Sequence, residues 1–192
     1  MDNNFFNFIK PYLSWIDSGL FFRRPFSWLY GLFAILNLVL PIYVFIKAID
    51  NRIFDASGKF VFVFLVVLLI IVFACWVGFQ LWWDRMGKVI NTSVDGDDFV
   101  STPVFSHFIQ TLGEWVGTWI GIVGFGSALL ASIILGEDSY RLSNMLGLDF
   151  LTSGFIGVLL MPILGFLIVV ITRFFAEQFR ALSSIANNTR RD

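Results

Sequence analysis

The sequence predicts an all-α membrane protein: four transmembrane helices in two hairpins, interfacial amphipathic helices at the N-terminus, and both termini in the cytoplasm. Three observations predict it. Of 192 residues, 57% are hydrophobic and only 14% charged, where a soluble domain carries about 25% charged. Phe supplies 24 residues and Trp 7, more apolar surface than a soluble core of this size could hide. Finally, four uncharged stretches each reach the ~20 residues needed to cross about 30 Å of hydrocarbon.

The first 24 residues interleave Phe5, Phe6, Phe8, Ile9, Trp15, Ile16, Phe21 and Phe22 with polar groups. That is too polar to span and too aromatic to stay in water. Aromatic rings flanked by Arg settle at the headgroup level, so residues 1–24 read as short helices on the cytoplasmic face. Pro11 and Pro25 mark their breaks. A partner-docking arm would need the same aromatic residues. The first span runs over 25–46. Lys10, Arg23 and Arg24 precede it and no small-residue cleavage site follows it, so it is expected to be a retained signal anchor.

The second span covers 60–83 and the third 115–136, with a cytoplasmic loop expected over 84–114. The fourth span covers 150–172, and residues 173–192 are expected to continue as a cytoplasmic amphipathic helix. None of the four spans contains Asp, Glu, Lys, Arg or His. Backbone groups in hydrocarbon must be satisfied internally, which makes each span a helix. Lys and Arg set the orientation. Lys10, Arg23, Arg24, Arg85, Lys88, Arg173, Arg180, Arg190 and Arg191 fall on one side, and Lys47, Arg52, Lys59 and Arg141 on the other. Nine against four puts the termini and the middle loop in the cytoplasm.

Small residues supply the expected packing interface. Gly113, Gly117 and Gly121 recur every four residues, and Gly124 and Ala128 continue a neighbouring row. In lipid, close van der Waals contact between helices replaces hydrophobic burial as the driving force. The row serves packing within the bundle, or else a dimer or partner-subunit interface. Pro41 and Pro162 lie inside spans, where kinks are expected. Arg23, Arg24, Arg173, Glu177 and Arg180 are read as charge anchors at the membrane surface.

The motifs that would carry chemistry are missing. Asp95, Asp97 and Asp98 resemble the start of a calcium loop, but Ser106 stands where the distal Glu belongs. His107 is the lone histidine of the chain, without metal-ligand spacing or a partner for bis-histidine haem ligation; it is expected in a loop or at the interface. Cys75 has no partner for an internal disulfide. Intramembrane enzymes and ion-coupled transporters place ionisable residues at depth, and the spans hold none. No enzyme activity and no cofactor are therefore expected. With a net charge of −1, nucleic acid is not an expected partner either.

Pro162, Arg173, Glu177, Ile185, Ala186, Asn188 and Thr189 carry a resemblance. Over about 40 residues the C-terminal segment resembles the bacterial domain-of-unknown-function 4282 family of small membrane proteins. That resemblance implies a bacterial origin and a membrane location, and no chemistry. Members are usually one two-helix hairpin, whereas this chain has two. A weak internal echo accompanies it: Gln80, Asn91 and Thr92 follow the second span as Glu177, Asn188 and Thr189 follow the fourth.

Three function classes remain. The first is an accessory, scaffold or regulatory subunit that acts through helix–helix and membrane-surface contacts, with membrane lipid and a homo-oligomer or larger membrane complex as partners. The second is a small oligomeric channel or passive permease. The third is a membrane or lipid sensor. A bacterial inner (cytoplasmic) membrane is the expected location.

Overall fold

A computed structural model describes residues 9–17, 20–92, 101–136 and 155–189. Of these, 94% are helical and none is in a strand. Helix α1 (Lys10–Asp17) leads into α2 (Leu20–Asp50), and a short 3-10 turn at Ile53–Asp55 connects to α3 (Gly58–Val89). Helix α4 (Ser101–Trp119) is continued by a π-helical turn over Ile120–Gly124, by α5 (Phe125–Leu130) and by a second π-helical turn over Ala131–Leu135. Helix α6 (Phe155–Thr189) follows. Gly136, with φ at 53°, closes the third long helix in a conformation that suits glycine.

Four helices are long and apolar enough to cross a membrane. The architecture is that of a multi-pass integral membrane protein. Helices α2, α3 and α6 hold 31, 32 and 35 residues, or about 46–52 Å at 1.5 Å per residue. A hydrocarbon core takes up about 30 Å of that, so each helix continues beyond it by several turns.

The tightest pairings are α2 with α3 and α4 with α6. Two buried cores lie where the hairpins meet. Tyr30, Ala34, Trp82, Val89 and Val104 form one buried core between them, flanked by Phe26, Phe33, Phe108 and Trp115. Ile71, Ala74, Cys75 and Val123 form a second core in the other half of the bundle. The outward faces are apolar as well: Leu32, Ile35, Ile42, Leu69, Phe73, Ile163 and Phe166 are all exposed. In lipid such faces need no cover.

Several expected boundaries move. Much of the stretch 84–114 is helical: α3 runs on to Val89 and α4 begins at Ser101. His107, Gln110 and Glu114 do not prevent a helix there, because a polar side chain can point into a bundle as readily as out of it. Pro103 sits in the first turn, where a proline costs no helical hydrogen bond. Pro25 does not break the chain either, because α2 starts five residues before it, and Pro11 sits in the first turn of α1. Helix α6 passes through Thr172 without a break and reaches Thr189. Phe5, Phe6 and Phe8, the acidic run at Asp95–Asp98, and residues 150–154 of the expected fourth span lie outside the described residues.

Candidate functional site

The end of the bundle formed by the start of α2, the end of α3, the start of α4 and the second half of α6 carries a ladder of buried polar side chains. Helix α4 supplies its spine. His107, Gln110, Thr111 and Glu114 fall at i, i+3, i+4 and i+7, which places them on one face of a helix. All four are buried. Glu114 accepts from Arg85 of α3 through Oε2 at 2.9 Å and from Gln110 through Oε1 at 2.7 Å. The Gln110 Oε1 in turn accepts from Arg180 Nη2 of α6 at 2.7 Å. A single carboxylate and a single amide thus tie three helices together.

The same face reaches α2. Tyr30 Oη lies 2.8 Å from His107 Nδ1 and donates to Thr111 Oγ1 at 3.4 Å. One turn further along, Trp115 Nε1 donates to Asn37 Oδ1 at 2.9 Å, and Asn37 Nδ2 donates back to its own helix at Phe33 O, 2.8 Å away. Ser106 Oγ donates to the Ala176 carbonyl of α6 at 2.6 Å. Trp82 is fully buried beside this network, stacked on Phe33 at 4.8 Å and edge-on to Tyr30 at 5.1 Å. Burial of so many polar groups is tolerable because they bond to one another.

The small-residue row fits the α4–α6 contact, though not uniformly. A Cβ on Gly113 would strike the Thr172 side chain, and one on Gly117 would strike the Gly165 carbonyl oxygen and lie 2.7 Å from Val169 Cγ2. A Cβ on Gly124 would lie 2.9 Å from Met161. Ala128 is 1% exposed. Gly121 departs from the row: a Cβ there meets nothing within 4 Å. It faces a laterally open apolar groove of about 860 Å³, lined among others by Leu69, Phe73, Phe125 and Pro162. Gly165, the facing glycine on α6, escaped the sequence reading because it stands alone there rather than in a repeat.

Pro41 and Pro162 both lie inside helices, and Pro162 forms part of the groove wall. The charge anchors divide. Arg24 is exposed, as is the Arg173–Glu177 pair at 3.1 Å. Arg23 is not a surface group: it is 6% exposed, and its Nη1 donates to Ile90 O at 3.4 Å. Arg180 is half-buried in the ladder. Both arginines point inward because their helices turn that face to α3 and α4. His107, expected in a loop or at the interface, is instead a buried helix residue bonded to Tyr30.

Chemically the ladder is a clasp. Both Glu114 oxygens and both ends of the Gln110 amide are occupied by other members. Among the described residues, no three His, Cys, Asp or Glu converge as a metal would require. The network stops at Asn37 and Trp115, and the half of the bundle beyond is walled by aliphatic and aromatic side chains around the second core. No protein-family model matches this chain, and neither the curated proteins nor the solved structures contain a match to it.

Proposed function

We propose that this chain is a non-enzymatic accessory or scaffold subunit of a membrane assembly, acting through helix–helix and membrane-surface contacts. One observation carries the reading. In the second half of α6 the inward face is small and polar, with Ala176, Arg180 and Ser183, whereas Phe175, Phe179, Leu182 and Ile185 point outward at 41–62% exposure. This apolar stripe continues past the exposed Arg173–Glu177 pair, beyond the ~20 residues that span hydrocarbon. An outward apolar helix face at that level is suited to receive another helix. On the inward side Arg180 bonds the Gln110 amide and the Ala176 carbonyl.

The occupant of that face is a larger membrane complex or a second copy of the chain. The charge asymmetry supports placing this end in the cytoplasm, and the resemblance carried by Pro162, Arg173 and Glu177 supports a bacterial cytoplasmic membrane. The channel alternative draws less support, because the polar ladder ends partway along the bundle.

Affinity capture of the full chain from native membranes in mild detergent tests the reading. A defined partner or a second copy should co-purify and be lost on Leu182→Asp, with the unfolding temperature of the chain unchanged. A monomer that captures nothing, or a partner indifferent to Leu182→Asp, would count against it. Solute flux through liposomes containing the purified chain would overturn it in favour of a channel.

A further inference from the structure

The charges of the ladder do not balance. Arg85 and Arg180 bring two guanidinium groups, and Glu114 brings one carboxylate. Glu114 bonds Arg85 directly at 2.9 Å but reaches Arg180 only through the neutral Gln110 amide. The other Arg180 contact, from Nε to Ala176 O at 3.3 Å, is also to a neutral carbonyl. Two other acids at this end are engaged elsewhere: Glu177 with Arg173 at 3.1 Å and Asp84 with Lys88 at 2.6 Å. Among the described residues, Arg180 is a half-buried cation held in place by neutral acceptors. A cation out of bulk water is costly without a counter-charge.

Its level in the bundle suggests where the counter-charge comes from. Trp28 and Trp83 are 71% and 52% exposed at this end, as aromatic side chains at a headgroup belt are. Arg24, the Asp84–Lys88 pair and the Arg173–Glu177 pair ring the same end on the outside. Arg180 lies seven residues past Arg173, or about 10 Å along the helix; with Arg173 at the edge of the hydrocarbon, that step leads into the headgroup layer. A guanidinium fork matches a phosphate bidentately, and basic pockets between helices are a recognised seat for anionic headgroups.

We propose that Arg180, oriented by Gln110 and backed by Arg85, binds a phosphate-bearing anion at the membrane surface, with the headgroup of an anionic lipid as its source. The inference rests on the membrane-surface part of the functional reading and is independent of any protein partner. The test uses the full chain, delipidated and reconstituted into phosphatidylcholine vesicles with or without phosphatidylglycerol. Lipid retained after mild detergent extraction is counted by native mass spectrometry. Wild type should retain phosphatidylglycerol, and Arg180→Gln should weaken retention about tenfold. Arg180→Lys, which keeps the charge and loses the fork, should fall between them. Lys47→Gln, at the opposite end, should leave retention unchanged.

A parallel arm adds inorganic phosphate to the chain in phosphatidylcholine alone. Arg180-dependent thermal stabilisation there would identify a free phosphate rather than a headgroup as the source. Phosphatidylglycerol retention equal in wild type, Arg180→Gln and Arg180→Lys would overturn the proposal. So would a loss in Arg180→Gln matched by Lys47→Gln, since that would reflect net charge alone. Because this assay scores lipid and the affinity capture scores protein, the two readings fail separately.

Discussion

Replacing Gly117 and Gly121 by alanine, one at a time, separates packing within the bundle from a free small-residue surface. In a helix interior either change gains about 0.5–1 kcal/mol from alanine's better propensity. That term is common to both positions and drops out of their difference. At Gly117 the new methyl meets the Gly165 carbonyl and lies 2.7 Å from Val169 Cγ2. Part of that obstacle is backbone, so relief requires α4 and α6 to move apart. Overpacking of this kind costs about 1–3 kcal/mol. At Gly121 the methyl meets nothing within 4 Å and should cost nothing. The two variants should therefore differ by about 1–3 kcal/mol, a five- to more than hundredfold difference in the unfolding equilibrium. Reversible unfolding in mixed micelles, followed by tryptophan fluorescence, reads the difference. Equal stability of the two variants, or Gly121→Ala as the weaker one, would refute the α4–α6 register.

Glu114→Gln removes the ladder's carboxylate and leaves the partly buried Arg85 facing an amide; a loss of about 1–3 kcal/mol is expected in the same unfolding assay. Adding Arg85→Met to that variant should recover part of the loss, since an unpaired buried charge costs more than an apolar pair. Tyr30→Phe deprives His107 Nδ1 of its 2.8 Å partner and should cost about 1–3 kcal/mol, as expected for a buried polar atom left unsatisfied. Glu177→Gln breaks only an exposed pair, with side chains 59% and 57% accessible, and should shift stability by no more than about 0.5 kcal/mol.

The spans were legible because uncharged length is a property of composition, and the bilayer enforces it whatever the neighbours do. The small-residue row was legible in part. Repeats of four mark a close approach, but they do not say where the approach ends. Within the π-helical turn at Ile120–Gly124 the row is interrupted: Gly121 opens onto the groove, whereas Gly117 before it and Gly124 at its end pack closely on α6. The ladder was missed for a different reason. Charge counting treats Glu114 and His107 as signs of a loop, because it has no term for a polar side chain turned inward. The signal was present in the i, i+3, i+4, i+7 spacing of His107, Gln110, Thr111 and Glu114, a polar stripe with helical period. Arg180 and Tyr30, from distant parts of the chain, could be joined to it only in three dimensions.

The distribution of polarity along the bundle also bears on what fixes its geometry. Around Ile71, Ala74 and Val123, the side chains between helices are as apolar as the lipid outside, so exchanging one for the other gains little. The apolar groove opens in that half. At the other end, sliding α4 by one turn against α2, α3 or α6 would strip Glu114 of Arg85, Gln110 of Arg180 and Tyr30 of His107 at once, leaving several buried polar groups unpaired. The polar end therefore sets the register of the two hairpins, and the close passage of Gly117 past Gly165 sets the separation of α4 and α6 within one of them. A bundle pinned at one end presents the outward faces of that end, including the stripe from Phe175 to Ile185, in a fixed arrangement, as a docking surface requires. Loosening the pin without touching the stripe, by Glu114→Gln, should then weaken partner capture in proportion to the stability lost. If capture stayed intact while stability fell, the stripe would be acting as an independent helix rather than as a face of the bundle.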